Sequence, residues 1–566
     1  MPTNPKGEGN IRRCSTPGPR VTVLVLLAAT LILALSCLAE AKAINANSVS
    51  QSDVAAAIAS AADGDIVIVP SGTVAWSRTL SVKKAVELRG AGVGSTIIKD
   101  NVQSGPLINW DIRGNANQNA RLTGIEFQNG GRSAFGYVIK IVGSNTNGAT
   151  FRFDNNKWNN VNGVPVFDTV IGVVDHNSFE ESDEIRVYGT FWNGQNWGDG
   201  SWAAPTDYGS AKWLFIEDNS FTQGTGAEKV ITDAYAGARF VVRYNTIYNC
   251  YPTNHGTEST GRARGCRAMD VYNNTYTGTN LNNYVGGSRS GGVLFHDNQI
   301  SGYTNGARFA TVNYRNIFPF VPFGAADGVN PWDVNEPNAF FTGTAAQNSS
   351  GTTVTVSGNH NWPANKWVGY TIRRLSNLCN ADNHLSYGMI QSNTANTISY
   401  TGSMMSGVPD MSFCKGDSLE IRLVEHAMDQ VGRALGSLVA GDPPVRPTAW
   451  NDQVTEPCYS WNNTNGYGGF ANFTEGSGVR ANVHFFNNKP MPGYTPYTYP
   501  HPLVNGRALP LLPSPAATRN ATANSQDHAR KQRRPWGGKK PERKQTKKVK
   551  GTSTSEMPEN QEKLGN

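Results

Sequence analysis

The residues most suited to chemistry are concentrated between His255 and Asp270. This segment of 16 residues carries one histidine, one glutamate, one aspartate and three arginines, in a chain of which only 16% is charged. The residues concerned are His255, Glu258, Arg262, Arg264, Arg267 and Asp270. Guanidinium groups bind carboxylates through paired N–H donors, and imidazole exchanges protons near neutral pH, so the cluster suits acid–base chemistry on a carboxylated substrate. The alternative is that these charges pair with one another and brace a long loop.

Further charged residues flank this cluster on both sides. They are Asp233, Arg239 and Arg243 before it and Arg289 after it. If they project from one side of the fold, they form a basic strip with interspersed carboxylates, which is a suitable cleft for an acidic glycan.

A glycine-rich loop from Phe191 to Trp213 is unusually aromatic. It contains Trp192, Trp197, Trp202, Tyr208 and Trp213. Aromatic faces stack well on sugar rings, so we expect Trp192 and Trp197 to bind substrate. The alternative is a loop folded around its own small aromatic core.

An acidic patch lies further upstream, and its oxygen ligands make Ca²⁺ a candidate ligand. It consists of Asp175, His176, Glu180, Glu181, Asp183 and Glu184. The sequence has no calcium-binding repeat, no cysteine spacing typical of zinc, no P-loop and no GxGxxG after a strand. We therefore expect no nucleotide or redox cofactor and no structural zinc.

These residues are carried by a chain that repeats a short motif ending in asparagine. Each copy follows a β-rich run, as in Phe153–Asn156 and Val174–Asn177. The intervals from Asn156 are 21, 42, 26, 28 and 25 residues, the last two measured through Asn273. Such a period predicts a solenoid in which one Asn per coil takes the left-handed conformation and stacks on its neighbours. The fold class is therefore all-β, a right-handed parallel β-helix.

The register of neighbouring coils decides which face the charged cluster occupies. Aligning Asn245 with Asn273 places Val242 over Asp270, whereas aligning it with Asn274 places Val241 over Asp270. The two alignments send the charged residues to opposite faces, and both stay open at this point.

Several blocks resemble known β-helix proteins. The stretches AADGDIVIVPSGTVAW, AVELRGAGVGSTIIKD and RLTGIEFQN are similar to the opening coils of pectate-lyase-like right-handed β-helices. The blocks ITDAYAGARFVVRYNTI, HGTESTGRARGCRAMDVYNNTY and GYTPYTYPHPL resemble a largely uncharacterised branch of secreted bacterial β-helix proteins. The resemblance runs from about Ile44 to Val504 and implies the fold rather than one activity, because β-helices include lyases, hydrolases and proteins without enzymatic activity.

The chain divides into five segments. Residues 1–43 are predicted to be a signal peptide, with an apolar run from Val21 to Leu38 and a small-residue site ending at Ala43. Residues 44–344 form the β-helix with an N-terminal capping helix, 345–425 a small β insert, 426–515 the final coils with a C-terminal tie-down, and 516–566 a disordered basic tail. We expect a secreted or envelope protein; a retained membrane anchor is the alternative.

Five cysteines lie outside the leader. In an exported protein Cys250–Cys266 and Cys379–Cys414 are plausible disulfides that leave Cys458 free, although other pairings stay open.

The basic tail dominates the net charge of the chain. From Arg519 onward 13 Lys and Arg stand against 5 Asp and Glu, so the tail carries +8 and the remainder −1 of the total of +7. Such a tail can hold an anionic cell surface, or it is a solvated appendage. No motif for specific nucleic-acid binding is present, and we expect a monomer.

Together these features predict a carbohydrate-active protein, first of all a polysaccharide lyase acting on a uronate glycan. Arg262, Arg264 and Arg267 would neutralise the substrate carboxylate, His255 or an arginine would act as base, and Glu258 or Asp270 would assist. One alternative is a glycoside hydrolase, with Asp233 and Asp270 or Glu258 and Asp270 as its carboxylate pair. The other is a non-enzymatic surface protein that binds glycans through the tryptophan loop.

Overall fold

The structure is a computed structural model. It describes residues 41–506 except for 182–183, 225–228, 258–260, 279–283, 304–306, 312–321, 325–331, 333, 336–338, 380–385, 403–410, 427, 436–438, 447–452, 466–471, 475–478 and 480. The predicted leader up to residue 40, Glu258 and the basic tail therefore lie outside the described residues. No helix in the described part of the chain is long and apolar enough to cross a membrane.

Most of the described chain winds into coils that contribute one strand to each of three parallel sheets. The first sheet contains Ala43–Asn45, Ile66–Ile68, Glu87–Arg89, Asn119–Thr123, Thr150–Asp154, Gly172–Asp175, Leu214–Glu217, Arg239–Arg243, Ala268–Tyr272, Gly292–His296, Cys458–Trp461 and Phe485–Phe486. The second contains Gly72–Trp76, Thr96–Asp100, Glu126–Asn129, Lys157–Asn159, Ser178–Glu180, Ser220–Thr222, Thr246–Tyr248, Thr275–Thr277, Gln299–Ile300 and Thr464–Asn465. The predicted all-β parallel β-helix is confirmed.

The third sheet is shorter and carries the site described below. Its strands are Leu80–Val82, Ile108–Asp111, Gly136–Val142, Gly163–Asp168, Ile185–Tyr188, Lys229–Tyr235 and Cys250–Pro252. A three-stranded parallel sheet of Tyr284–Ser288, Arg308–Thr311 and Asn472–Thr474 follows, and a bridge between Thr253 and Gly287 joins the two.

Apolar side chains from all three sheets point inward and form one continuous core. The helix Gln51–Ser60 covers its N-terminal end through the buried side chains of Val54, Ala57 and Ile58. The hydroxyl of Ser50 accepts a hydrogen bond from the backbone N–H of Asp53, so the helix is capped by a residue just before its first turn.

The asparagine motif works differently from the prediction in one respect. The fourth residue of each copy is the one that stacks: in Asn177, Asn219 and Asn245 the side-chain oxygen accepts from the backbone N–H of the preceding ladder asparagine. The left-handed conformation belongs instead to the residue before it, such as His176 with a φ of 54° or Tyr244 with a φ of 56°. The ladder asparagine is buried, and its amide N–H groups donate to backbone carbonyls of the preceding coil.

The ladder also sets the register. Asn245 donates to Asn274, and Val241 is paired with Asp270. The second of the two alignments is therefore the one observed. The ladder continues from Asn298 to Asn463 across the segment that interrupts the coils.

That segment contains a small antiparallel sheet with its own core. Its strands lie in the order Phe341–Thr344, Ser418–Arg422, Thr371–Arg374, Ser386–Asn393, Thr397–Tyr400 and Thr353–Thr355. A bridge between Ala345 and Val356 joins the two ends, so the sheet closes into a barrel. Cys379 and Cys414 form the predicted disulfide. The predicted Cys250–Cys266 disulfide is wrong, because both are buried free thiols on different strands and turns of the core.

Short elements complete the described chain. Val334–Asn335 pairs with Val424–His426, and Arg433–Ala434 pairs with Val454–Thr455. A 3-10 turn at Trp192–Gly194 and a helical turn at Asp199–Trp202 lie in the aromatic loop. Residues 494–506, ending in the 3-10 turn Pro502–Asn505, lie along the outer face of the first sheet.

Candidate functional site

The arginines of the predicted cluster are buried and paired within the protein. Arg264 is fully buried and donates to Asp429 at 2.6 and 2.8 Å and to Asp199 at 3.3 Å. Arg262 donates to Asp199 at 2.7 Å and to the carbonyl oxygen of Gly441. The hydrogen bonds and ion pairs of these two arginines therefore link the loop that carries them to the segment after the insert. The idea that they neutralise a substrate carboxylate fails because their guanidinium groups are sealed from solvent.

The other three predicted arginines at the first sheet, Arg239, Arg243 and Arg267, are equally inaccessible. Arg243 is fully buried between Glu217, at 2.5 Å, and the carbonyl oxygens of Tyr497 and Thr498. Arg267 and Arg239 are also buried, Arg267 next to Glu456 and Arg239 among backbone carbonyls. None of these guanidinium groups is placed to bind a polymer.

Asp270 is buried on the outer face of the first sheet, beneath the C-terminal segment. It accepts a hydrogen bond of 2.7 Å from the hydroxyl of Tyr494 and lies 3.3 Å from Nε2 of His296. Asp233 belongs to the third sheet, so the predicted Asp233–Asp270 carboxylate pair is not brought together.

The tryptophan loop folds largely on itself. Trp192, Trp202 and Trp213 are buried, and the guanidinium of Arg239 lies over the ring of Trp192 at 4.6 Å. Trp197 is half-buried and packs against the tyrosines of the third sheet described next. The prediction of Trp192 as a sugar platform therefore fails on burial, whereas Trp197 stands at the rim of an exposed site.

The half-exposed His255 lies against the buried Asp233 at the third sheet. Nδ1 of His255 lies 2.7 Å from Oδ1 of Asp233, and the imidazole is 26% exposed. The backbone of His255 is fixed on both sides, because its N–H donates to Ala234 and its carbonyl accepts from Cys266 and Ser290. The ring is thus held by the scaffold in a defined place.

Adjacent strands add polar and aromatic side chains to the same face. Arg186 is paired in register with Asp233, and Tyr188 with Tyr235. Because side chains alternate along a strand, these four point outward while their neighbours Ile185, Val187 and Ala234 enter the core. The Tyr188 and Tyr235 rings are 4.2 Å apart, and Tyr188 donates to the hydroxyl of Tyr137 at 3.3 Å.

Arg186 is the accessible guanidinium of this face. It donates to Glu184 at 2.9 Å, and its charged end lies 5.7 Å from the ring centres of Phe135 and Tyr137. Its side chain is 19% exposed, so solvent reaches part of it. Arg289 lies nearby and half-buried; its charge acts on Asp233.

The charges of this face favour an ionised aspartate and protonated phenols. Burial alone would raise the pKa of Asp233, but His255, Arg186 and Arg289 outweigh it and leave the pKa below its ordinary value. Burial, followed by the neighbouring tyrosines, raises the pKa of Tyr188 and of Tyr235. An ionised Asp233 keeps a proton on Nδ1 of His255 and thus leaves Nε2 free to accept one.

The acidic patch upstream is divided among separate partners. Asp175 accepts from Arg152, Glu180 pairs with Lys157, and Glu184 pairs with Arg186. Among the described residues no group of three or more His, Cys, Asp or Glu is placed to hold a metal ion. Asp183 lies outside the described residues, and Ca²⁺ binding stays a prediction.

The sequence reasoning missed Arg186, Tyr188, Tyr235 and Tyr137. A usable signal exists, because Arg186-Val187-Tyr188 and Asp233-Ala234-Tyr235 share a pattern of charged, small apolar and tyrosine residues. The asparagine turn that sets the period follows the strands of the first sheet, so this period gives no register for the strands of the third sheet.

Comparison with known proteins finds only distant structural similarity. No known protein family and no curated protein matches the sequence. Two solved structures match: an alginate lyase from Paenibacillus sp. str. FPU-7, with 13% identity, a TM-score of 0.30 and coverage of 47% of this chain and 97% of that one; and ORF18 of Geobacillus virus E2, with 11% identity, a TM-score of 0.26 and coverage of 69% and 80%. Similarity this distant carries no argument about activity.

Proposed function

We propose that this protein is a polysaccharide lyase that acts on an acidic glycan at the outer face of the third sheet. One observation carries the proposal: the half-buried His255, Arg186 and Tyr235 lie with the buried Asp233 and Tyr188 on the outer side of neighbouring coils. Neighbouring strands lie about 4.8 Å apart, so these groups reach atoms within one or two sugar residues.

Each of the three requirements of β-elimination has a candidate group at this site. Arg186 pairs with the uronate carboxylate and lowers the barrier to removing the adjacent proton. Nε2 of His255 accepts the proton from C5, the electron pair forms the C4–C5 double bond, and the C4–O bond breaks. Tyr235 donates its phenolic proton to the leaving oxygen and is restored by the solvent.

A hydrolase fits this face less well. Hydrolysis needs a protonated carboxyl group as acid beside a second carboxylate. The pKa of Asp233 is lowered once His255 and the nearby arginines outweigh burial, and Glu184 is held by Arg186, so neither is placed as the acid. The predicted leader adds the proposal that the protein acts outside the cell.

The decisive experiment incubates the purified chain with pectate, alginate, glucuronan and neutral glycans, with and without Ca²⁺. Ultraviolet absorbance from the new double bond and release of reducing ends are followed together. A rise of both on an acidic polymer supports the lyase. Reducing ends without absorbance indicate a hydrolase, and retention on a glycan column without either signal indicates a binding protein; both outcomes contradict the proposal.

A further inference from the structure

Two buried arginines lie side by side on the outer face of the first sheet, away from the proposed lyase site. Arg239 and Arg267 are 3% and 0% exposed. Arg239 donates to the hydroxyl and carbonyl of Ser201 and to the carbonyls of Ala204, Pro205 and Thr206. These acceptors are neutral. Burial, followed by the charge of Arg267, lowers the pKa of Arg239 to about 9.

Arg267 has donors left over. Its Nη2 donates to Thr206 at 2.7 Å and to Glu456 at 3.2 Å. Its Nε and Nη1 are buried and have no hydrogen-bond partner in the described part of the chain. The hydroxyl of Tyr208 and the indole N–H of Trp213 are also buried and have no hydrogen-bond partner among the described residues. The centres of their rings are 5.1 Å apart.

Arg267 and Tyr208 are neighbours in the fold. The backbone N–H of Gly292 donates to the carbonyl of Arg267, and a Cβ added at Gly292 would lie 2.5 Å from the hydroxyl of Tyr208. The hydroxyl of Thr206 hydrogen-bonds both Glu456 and Arg267. Burial, followed by the nearby charge of Glu456, raises the pKa of Tyr208, which keeps its proton available for donation.

The unused atoms are donors, and the local charge is positive. Arg267 pairs with Glu456, and the charge of Glu456 also acts on Arg239, while the nearby Asp207 is engaged by Lys212 at 2.8 Å. Unpaired buried donors are costly, and a buried excess of positive charge is more so. A ligand that accepts hydrogen bonds and carries one negative charge would pair the unused donors and balance the excess positive charge.

We propose that a small monovalent inorganic anion, chloride or a halide of similar size, binds beside Arg267 and Tyr208. The anion accepts hydrogen bonds from Nε and Nη1 of Arg267 and from the hydroxyl of Tyr208. It fastens the aromatic loop around Thr206 and Tyr208 to Glu456, which precedes the first coil after the insert. The site is structural and independent of the proposed lyase chemistry.

The test measures thermal unfolding of the full chain in sodium chloride and in sodium gluconate at equal ionic strength. A saturable rise in Tm of roughly 3 °C is expected in chloride at a hundredfold excess over Kd. Crystals grown in bromide should show anomalous scattering beside the Arg267 guanidinium.

Two variants make the test specific. Tyr208→Phe removes one donor and keeps the ring, so it should reduce the chloride-dependent shift at least twofold. Tyr276→Phe is the matched control, because its buried hydroxyl also has no partner among the described residues but lies in the core, without an arginine. Equal Tm in the two salts with no bromide signal overturns the proposal, as does an equal chloride response in both variants.

Discussion

Nδ1 of His255 lies 2.7 Å from Oδ1 of Asp233, and the two residues come from successive turns of the solenoid. Asp233 is buried, whereas the imidazole of His255 is 26% exposed. The carboxylate therefore orients the ring and selects its tautomer, and the ring presents Nε2 to a ligand. The relationship is that of a base with its positioning residue.

Asp233→Asn is expected to lower kcat on the cleaved glycan by about 10²–10⁴-fold with a small change in KM, because the amide no longer holds the proton on Nδ1. The measurement is the initial rate of double-bond formation as a function of pH. Asp111→Asn is a matched control on the same sheet, since Asp111 pairs with the exposed Arg113. Unchanged kcat in Asp233→Asn would exclude the His255–Asp233 pair from the chemistry.

Arg186→Lys is expected to raise KM and lower kcat/KM by about tenfold to a hundredfold, because an ammonium group cannot match a carboxylate with two parallel donors. Arg186→Met should lose more. The rates are compared on an acidic glycan and on its methyl-esterified form, which lacks the charge. If both variants lose equally on both substrates, Arg186 supports the sheet and does not bind the carboxylate.

Arg264→Met is expected to act on stability, unlike the variants of the third sheet. It leaves Asp199 and Asp429 buried with less compensation, which should lower the free energy of unfolding by about 3–5 kcal/mol. Chemical denaturation measures this loss, and the kcat/KM of the folded fraction should stay unchanged. Arg113→Met, at an exposed pair, serves as the control with a loss below about 1 kcal/mol. Loss of activity with normal stability would return Arg264 to the catalytic candidates.

The contrast between Arg264 and His255 shows what the sequence could and could not predict. The period of the asparagine turn predicted the solenoid, because each coil must stack its turn on the next. Burial of a charged side chain depends on partners distant in the sequence, such as Asp429 for Arg264. Composition alone therefore could not distinguish an arginine in a buried structural ion pair from one in a functional site. Register posed the same difficulty, since a shift of one residue moves Asp270 to the other face.

His501, in the C-terminal segment, makes the free energy of unfolding depend on pH. Burial, followed by the charges of Arg243 and Arg152, lowers the pKa of His501 to about 3. Its Nδ1 accepts from the backbone N–H of Leu503, and an accepting Nδ1 belongs to the neutral ring. The backbone N–H of His501 donates to Glu217 and fixes the residue in place.

The sign of this dependence follows from proton binding. Between about pH 6.5 and pH 3 the unfolded chain holds a proton on this histidine and the folded chain does not, so stability falls as pH falls, by up to about 1.4 kcal/mol per pH unit. His296 contributes with the opposite sign. Burial lowers the pKa of His296, but hydrogen bonds to Asp270 and Asp297 outweigh burial and leave the pKa above its ordinary value. The stability that His296 contributes is therefore lost as pH rises.

His501→Asn keeps an acceptor for the N–H of Leu503 and removes the titration. It should be less stable than the parent chain at pH 7, with a difference that shrinks steadily on acidification because only the parent loses this contribution. Urea unfolding midpoints at several pH values between 7 and 4 measure the difference, and the carboxylates that titrate in both chains cancel. A difference that stays constant with pH would mean that His501 takes up its proton in the folded chain as readily as in the unfolded chain, and the lowered pKa of a buried ring beneath the C-terminal segment would then be wrong.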